Sequence, residues 1–420
     1  MQMLATGLAS LLAGSVLGCA EDWSITETLR PRVEPLGSLP AAPAVRTARA
    51  QRPTGPSGGR RRVWLVGIDG FSPIDFGLRR KTQPYKTLKQ LAHEGRSTLD
   101  ARVPGGPADC GEGAVFESAP GWANILTGRD CREHRVLRNG DTSFLRKHSA
   151  ELPTLLATAH RELGLVTAAV GGDPIVSRPE ATQVAGLEPS GLLAIEGFVP
   201  GGGAWTNLDA WVYTQGDDAL AEETTIAAIV ELDADLVFTH FDEVDHIGHM
   251  HGYGSPGWAK RLDRTDERIG RVLAAIRGRP GFAAQDASRR LAFEQEDWLI
   301  VVVSDHGGHD TPGCQGGRCC VPGFGRCGTH DRMSGVDDRV PFILWTTGGR
   351  ATPLAPLQDP VSQLDVRPTV LAWLGSSEEA SPGRNREASP GRNREALPGR
   401  IQGVESVGIP MPDGYSSRTH

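Results

Sequence analysis

Two things are scarce in this 420-residue chain, and each scarcity excludes something. No long basic run occurs. Lys and Arg number 44 against 51 Asp and Glu, for a net charge of −7, so nucleic acid is not expected as a partner. The run nearest to a membrane span, residues 4–18, is apolar but too short to cross a bilayer comfortably. What is there is a soluble globular composition, 39% hydrophobic and 23% charged, with enough length for a sizeable core.

The short apolar run suits an export signal instead. It ends in "VLGC", which resembles a bacterial lipobox with Cys19 as the acylated residue, although no basic residue precedes it. Residues 1–19 are therefore expected to be a signal peptide, with the mature protein extracytoplasmic and lipid-anchored to a membrane at Cys19. Residues 20–60 are rich in Pro, Arg, Ala and Gly and read as a flexible tether. The folded body is expected over 61–375, a low-complexity loop with tandem "EASPGRNR" over 376–400, and a tail over 401–420. Besides Cys19 there remain Cys110, Cys131, Cys314, Cys319, Cys320 and Cys327, an even number that favours disulfides in an exported protein. Sequence does not choose their pairing.

Within the body, apolar strands alternate with helices. "VWLVGI", "LVTAAV", "DLVFTHF", "WLIVVV" and "VPFILW" read as core strands. Helices are expected over 85–95, 152–163 and 218–232, and from Ser255-Pro256 onward. Alternation of this kind predicts an α/β fold with a mostly parallel sheet flanked by helices.

Ligands of such sheets gather beyond the carboxyl ends of the strands. The first strand runs into Asp69-Gly70, another into "DEVDHIGHMHG", and "WLIVVV" into Asp305-His306. Asp and His groups delivered to one edge suit a divalent metal, above all zinc. Asp245 and His249, four residues apart, can reach one ion, and Asp242 is a reserve ligand. His240 and His309 lie close enough to support the ligands, whereas His93, His148 and His160 read as surface residues. Ser118 opens a short helix-like segment, where exposed amides favour an anion and a nearby metal would activate the hydroxyl. It could equally be a plain helix cap.

These motifs, in this order across 61–375, resemble the alkaline phosphatase superfamily and especially its type I phosphodiesterase/nucleotide pyrophosphatase branch. The resemblance implies an alkaline phosphatase-like single large domain, with helices on both faces of the sheet. It also implies a phosphoric ester hydrolase with two zinc ions. Asp69, Ser118, Asp305 and His306 would hold one ion, and Asp245, His249 and His330 of "GTHD" the other. Ser118 would attack phosphorus, while Asn139 and the amides near Ala119 hold phosphoryl oxygens. The substrate would be a small-molecule or lipid phosphate ester.

Departures from the pattern open other readings. Serine in place of the branch's usual threonine favours a phosphomonoesterase. A sulfatase would need arginine at the fifth position of the nucleophile motif, and Trp122 stands there. The segment between Asp310 and Gly328 is cysteine-rich and matches nothing in the branch; it is expected to form a disulfide-stapled loop over the active-site mouth. A non-catalytic surface lipoprotein with a structural zinc knuckle is the reading from another class, and the adjacent Cys319-Cys320 fit a knuckle poorly.

Overall fold

Strand β1 (Arg60–Ile68) is apolar on both faces, and this sets the architecture. Val63 and Leu65 pack on one side of the sheet, and Trp64, Val66 and Ile68 on the other, all fully buried. Such a strand belongs inside a sheet that helices cover on both sides.

The computed structural model describes Thr54 and residues 59–376, apart from 74–84, 140, 142–144, 146–147, 149, 172–207, 215, 281–294, 312–326, 332–334, 348–356 and 358–359. The expected signal peptide, most of the tether, the tandem repeats and the tail lie outside the described residues. After β1 come α1 (Lys86–Glu94), β2 (Arg96–Arg102), α2 (Ser118–Thr127), α3 (Leu155–Arg161), β3 (Thr167–Gly171) and β4 (Ala210–Tyr213). Then follow α4 (Asp218–Val230), β5 (Leu236–Phe241), α5 (Glu243–His251), α6 (Pro256–Gly278) and β6 (Glu296–Val303). The order closes with β7 (His309–Asp310), β8 (Gly328–Thr329), β9 (Arg339–Thr346) and α7 (Val366–Trp373).

Seven strands form one sheet in the order β2-β9-β6-β1-β5-β3-β4, while β7 and β8 pair separately. β1, β3, β4, β5 and β6 run parallel. Helices α2, α3 and α7 cover one face, and α1, α4, α5 and α6 the other. The predicted mostly parallel α/β sheet with helices on both faces is therefore what forms.

Local signals account for the helix ends. The Ser255 side chain accepts a hydrogen bond from Trp258 N, and Pro256 opens α6 as the sequence predicted. The helix expected over 152–163 is shorter because Thr154 caps it, accepting from Ala157 N, so α3 starts only at Leu155.

The sequence left one feature open. β9 runs antiparallel to β6, with Val303 opposite Phe342, so β9 begins at the edge where the parallel strands end. The β7–β8 ribbon and the residues after it are thereby delivered to the carboxyl edge of β6, β1 and β5, the three central strands. β2 also ends at this edge, with Arg102 opposite Arg339, so the chain leaves it toward α2 there.

At the amino edge, Arg60 and Arg62 of β1 are buried. Arg60 pairs with Asp235 at 2.5 Å, and Arg62 with Asp233 and with Glu296 at 3.0 Å. Arg279 shares Glu296 at 2.8 Å. Removing one partner of a buried charge network strands the others. Glu296→Ala should cost about 3–5 kcal/mol, read as a lower urea midpoint. Turnover per folded molecule should be unchanged, because the network lies at the edge opposite Asp69 and Asp305.

Candidate active site

Asp69 leaves β1 with its amide donating to Phe241 O at 2.9 Å, which fixes the chain alongside β5. Gly70 then turns at φ 61°, and a Cβ there would lie 2.4 Å from Asp245 Oδ1. Only glycine lets the two acidic segments approach this closely. Asp245 and His249 stand one turn apart on α5; the amides of its cap residue Asp242 and its first residue Glu243 donate toward the buried carboxylate of Asp218 on α4. Asp305 and His306 follow β6 and are fully buried. α2 rests directly on them: a Cβ on Gly121 would sit 2.2 Å from Asp305 O.

These segments bring the predicted residues together. Ser118 Oγ lies 3.3 Å from His306 Nε2, and that nitrogen lies 3.4 Å from Asp69 Oδ1 and 3.2 Å from Asp305 Oδ2. His249 Nε2 is 3.0 Å from His330 Nε2 and 3.3 Å from Asp245 Oδ2, and His330 Nε2 is 3.8 Å from Asp245 Oδ1. The stacked rings of His306 and His330, 3.6 Å between centroids, join the two groups. One ligand atom from each of Asp69, Asp305 and His306 falls within 4.8 Å of the others, and the same holds for Asp245, His306 and His330.

The imidazoles are oriented by backbone carbonyls. Nδ1 of His306 donates to Gly307 O (2.7 Å), that of His249 to Gly328 O (3.0 Å) and that of His330 to Phe116 O (2.8 Å). With the proton on Nδ1, each Nε2 presents a lone pair. Two such lone pairs face each other at 3.0 Å between His249 and His330, and a third faces the Asp69 and Asp305 carboxylates. Among the described residues, Asp305 Oδ2 has no hydrogen-bond donor. Burial pushes the Asp305 carboxyl up to about 7, helped by the charge of Asp245. Burial drives His330 down to about 4. The Nε2 lone pairs and the carboxylate oxygens that face one another here repel, and divalent cations between them remove the conflict. The residues present fit such ions.

Ser118 does not cap α2. Glu117 occupies the cap position, no side chain caps the helix there, and Ser118 is its first residue, only 4% exposed. The Ala119 amide donates to Asn139 Oδ1 at 2.9 Å, and Asn139 N to Glu117 Oε2 at 2.5 Å. Asn139 is thus held beside Ser118 with its side-chain NH2 left to donate. The disulfide Cys110–Cys131 joins the short helices Gly106–Cys110 and Cys131–His134 on either side of α2. Cys314, Cys319 and Cys320, and with them the expected stapled loop, lie outside the described residues.

His240 touches a ligand, its Nε2–H donating to Asp69 Oδ2 at 2.9 Å. His309 donates from Nδ1 to Asp337 Oδ1 at 2.8 Å; Asp337 also accepts from Asp331 N and, through its carbonyl, from Gly307 N. Asp242 joins neither ligand group, and His246 is exposed. His160 is not a surface residue: its side chain is 10% exposed and pairs with Asp209 at 3.0 Å, which ties α3 to the start of β4.

Several supporting residues carried no signal in the sequence. Trp122 donates from Nε1 toward Asp69 Oδ2 at 3.4 Å, and Tyr253 OH donates to Asp245 Oδ1 at 2.5 Å. A buried relay also runs beneath the site. Val136 N donates to His134 Nδ1, His134 Nε2–H to Asn124 Oδ1, Asn124 to Gln363 Oε1, and Gln363 Nε2 to the carbonyls of Ser304 (2.8 Å) and Asp305 (2.6 Å). These pairings span up to 239 residues of sequence, so no local pattern could announce them.

Known proteins add the following. A family model described as type I phosphodiesterase / nucleotide pyrophosphatase matches residues 63–320, and one described as sulfatase matches 289–376. No curated relative matches the chain. Among solved structures, murine ectonucleotide pyrophosphatase / phosphodiesterase 5 is similar at 12% identity, over 77% of this chain and 97% of that one, with TM-score 0.46. Phosphonoacetate hydrolase from Sinorhizobium meliloti 1021 is similar at 16% identity, over 60% of this chain and 57% of that one, with TM-score 0.36.

Burial lowers the His134 imidazole to about 4, so it is neutral in the fold. The unfolded chain, with histidine near 6.5, takes up a proton that the fold refuses, so stability is lost as pH falls from about 6.5 through about 4. His134→Gln should flatten this slope by close to one proton, measured by urea unfolding across that range.

Proposed function

The chain belongs to the type I phosphodiesterase/nucleotide pyrophosphatase family and is a metal-dependent phosphoric ester hydrolase; from that premise we propose that it cleaves phosphodiester or pyrophosphate bonds with Ser118 as nucleophile and two zinc ions. The observation that carries this reading is the convergence of three Nε2 lone pairs and three carboxylates beside the Ser118 hydroxyl. Asp69, Ser118, Asp305 and His306 would hold one ion, and Asp245, His249 and His330 the other.

The ions would supply charge that lowers the serine pKa and stabilises the oxygens entering and leaving phosphorus. The chain's own residues do the rest. Ser118 Oγ forms a bond to phosphorus as the ester or anhydride oxygen departs, and water then cleaves the phosphoseryl bond. Asn139, fixed by Ala119 N and Glu117, donates to a phosphoryl oxygen. Burial of Ser118, Asp305 and His306 keeps bulk water from competing for these contacts. A phosphomonoesterase is the second reading, and the serine itself favours it. The N-terminal segment supports export and acylation at Cys19, and no described helix is long and apolar enough to cross a membrane.

With oxidised, zinc-loaded protein, bis-p-nitrophenyl phosphate should be hydrolysed faster than p-nitrophenyl phosphate. Ser118→Ala should abolish turnover while leaving the melting curve intact, and Asn139→Ala should lower kcat by about 10²–10³. Preference for the monoester would move the assignment to a phosphatase. Turnover in Ser118→Ala equal to wild type would refute the nucleophile.

In the melting experiment, zinc should stabilise the metal-free protein by RT ln(1 + [L]/Kd) per site, about 2.7 kcal/mol at a hundredfold excess over Kd, read as a higher Tm. His330→Ala should lose most of the increment that belongs to its ion.

A further inference from the structure

Three segments that bring the candidate ligands together each carry a glycine beside a ligand: Gly248 before His249, Gly308 after His306-Gly307, and Gly328 shortly before His330. All three meet the same side chain. A Cβ added to Gly248 would lie 2.6 Å from Tyr253 Cε1, one on Gly308 2.3 Å from the same atom, and one on Gly328 2.7 Å from Tyr253 Cδ2 as well as 2.3 Å from Gly248 O. The ring is fully buried, wedged where α5, the turn after β6 and strand β8 converge. It stands edge-on to His249 and His330, with centroids 6.0 and 6.5 Å away. Its hydroxyl donates to Asp245 Oδ1 at 2.5 Å, while the other oxygen, Oδ2, faces His249 Nε2 at 3.3 Å.

We propose that Tyr253 is the positioning residue of the Asp245–His249–His330 site: its ring sets the spacing of the three ligand-bearing segments, and its hydroxyl occupies one Asp245 oxygen so that the other is presented to the ion. This rests on the reading of that triad as a metal site. A phenol is suited to both tasks. The ring is rigid and large enough to separate three backbones, and the hydroxyl donates to a carboxylate without adding charge. Donors to a ligating carboxylate fix its orientation, and their loss typically costs about 10–100-fold in metal affinity or activity. Glycine at 248 and 308 follows, because any side chain there would have to displace the ring; at 328 a side chain would meet both the ring and the Gly248 carbonyl.

The test uses the full chain, stripped of metal and titrated with zinc against a chromophoric chelator. The wild type should take up two ions. Tyr253→Phe keeps the ring and should keep the Tm, yet weaken one of the two binding steps by about 10–100-fold and leave the other unchanged. In turnover it should lower kcat more than it raises KM. Gly308→Ala tests the ring: alone it should disturb the same binding step, and combined with Tyr253→Ala it should add little further loss, since the atom it strikes is gone. A Tyr253→Phe titration matching wild type in both steps would overturn the proposal, as would strictly additive losses for Gly308→Ala and Tyr253→Ala. A wild type that binds no zinc would overturn the metal reading as well, which separates the two failures.

Discussion

Everything near the carboxyl edge of the sheet answers to one electrostatic constraint. Three imidazole lone pairs and three carboxylates lie within a few ångströms of each other, all buried except the half-buried His249, with His249 and His330 nitrogens 3.0 Å apart. Water is largely excluded, so the repulsion is little screened. Divalent cations held among these groups would remove that repulsion. A family whose enzymes use divalent metal ions supplies the chemical sense of that arrangement. The surrounding structure serves mainly to hold lone pairs pointing inward in a geometry that they would not adopt unaided.

The holding is done by ordinary means at unusual density. Backbone carbonyls of Gly307, Gly328 and Phe116 fix the three imidazoles; His240, Trp122 and Tyr253 donate to the carboxylates. Asp218 receives the amides of Asp242 and Glu243 at the start of α5, and Asp337 ties the segment after His306 to the one after His330. The relay from His134 through Asn124 to Gln363 grips the carbonyls of Ser304 and Asp305 from below. Strain and charge at the centre are thus offset by hydrogen bonds that reach into almost every layer of the fold. At the opposite edge a second charged network, Arg60, Arg62 and Arg279 with Asp233, Asp235 and Glu296, closes the sheet without touching the chemistry.

Much of this was legible beforehand, and for a physical reason. Strand ends are local events: "WLIVVV" followed by Asp305-His306 reads the same in sequence as in space, and so does the helical spacing of Asp245 and His249. Supporting contacts are not local. Tyr253 lies eight residues from Asp245, but its neighbours Gly308 and Gly328 come from other parts of the chain, and nothing in "HGYGSP" announces them. His160 misled for the same reason, since Asp209, its partner, lies 49 residues away.

By itself the sequence determined the strand–helix alternation, the sheet's mostly parallel character and the residue types brought to its carboxyl edge. These follow from apolar runs and from what ends them, which are properties of neighbouring residues. The antiparallel direction of β9, which carries His330 back to the edge, the release of Ser118 from helix capping and the wedge of Tyr253 among three glycines were decided only by the tertiary structure. Each depends on surfaces that meet after the chain has closed on itself, where packing and hydrogen bonding act between segments that the linear order keeps apart.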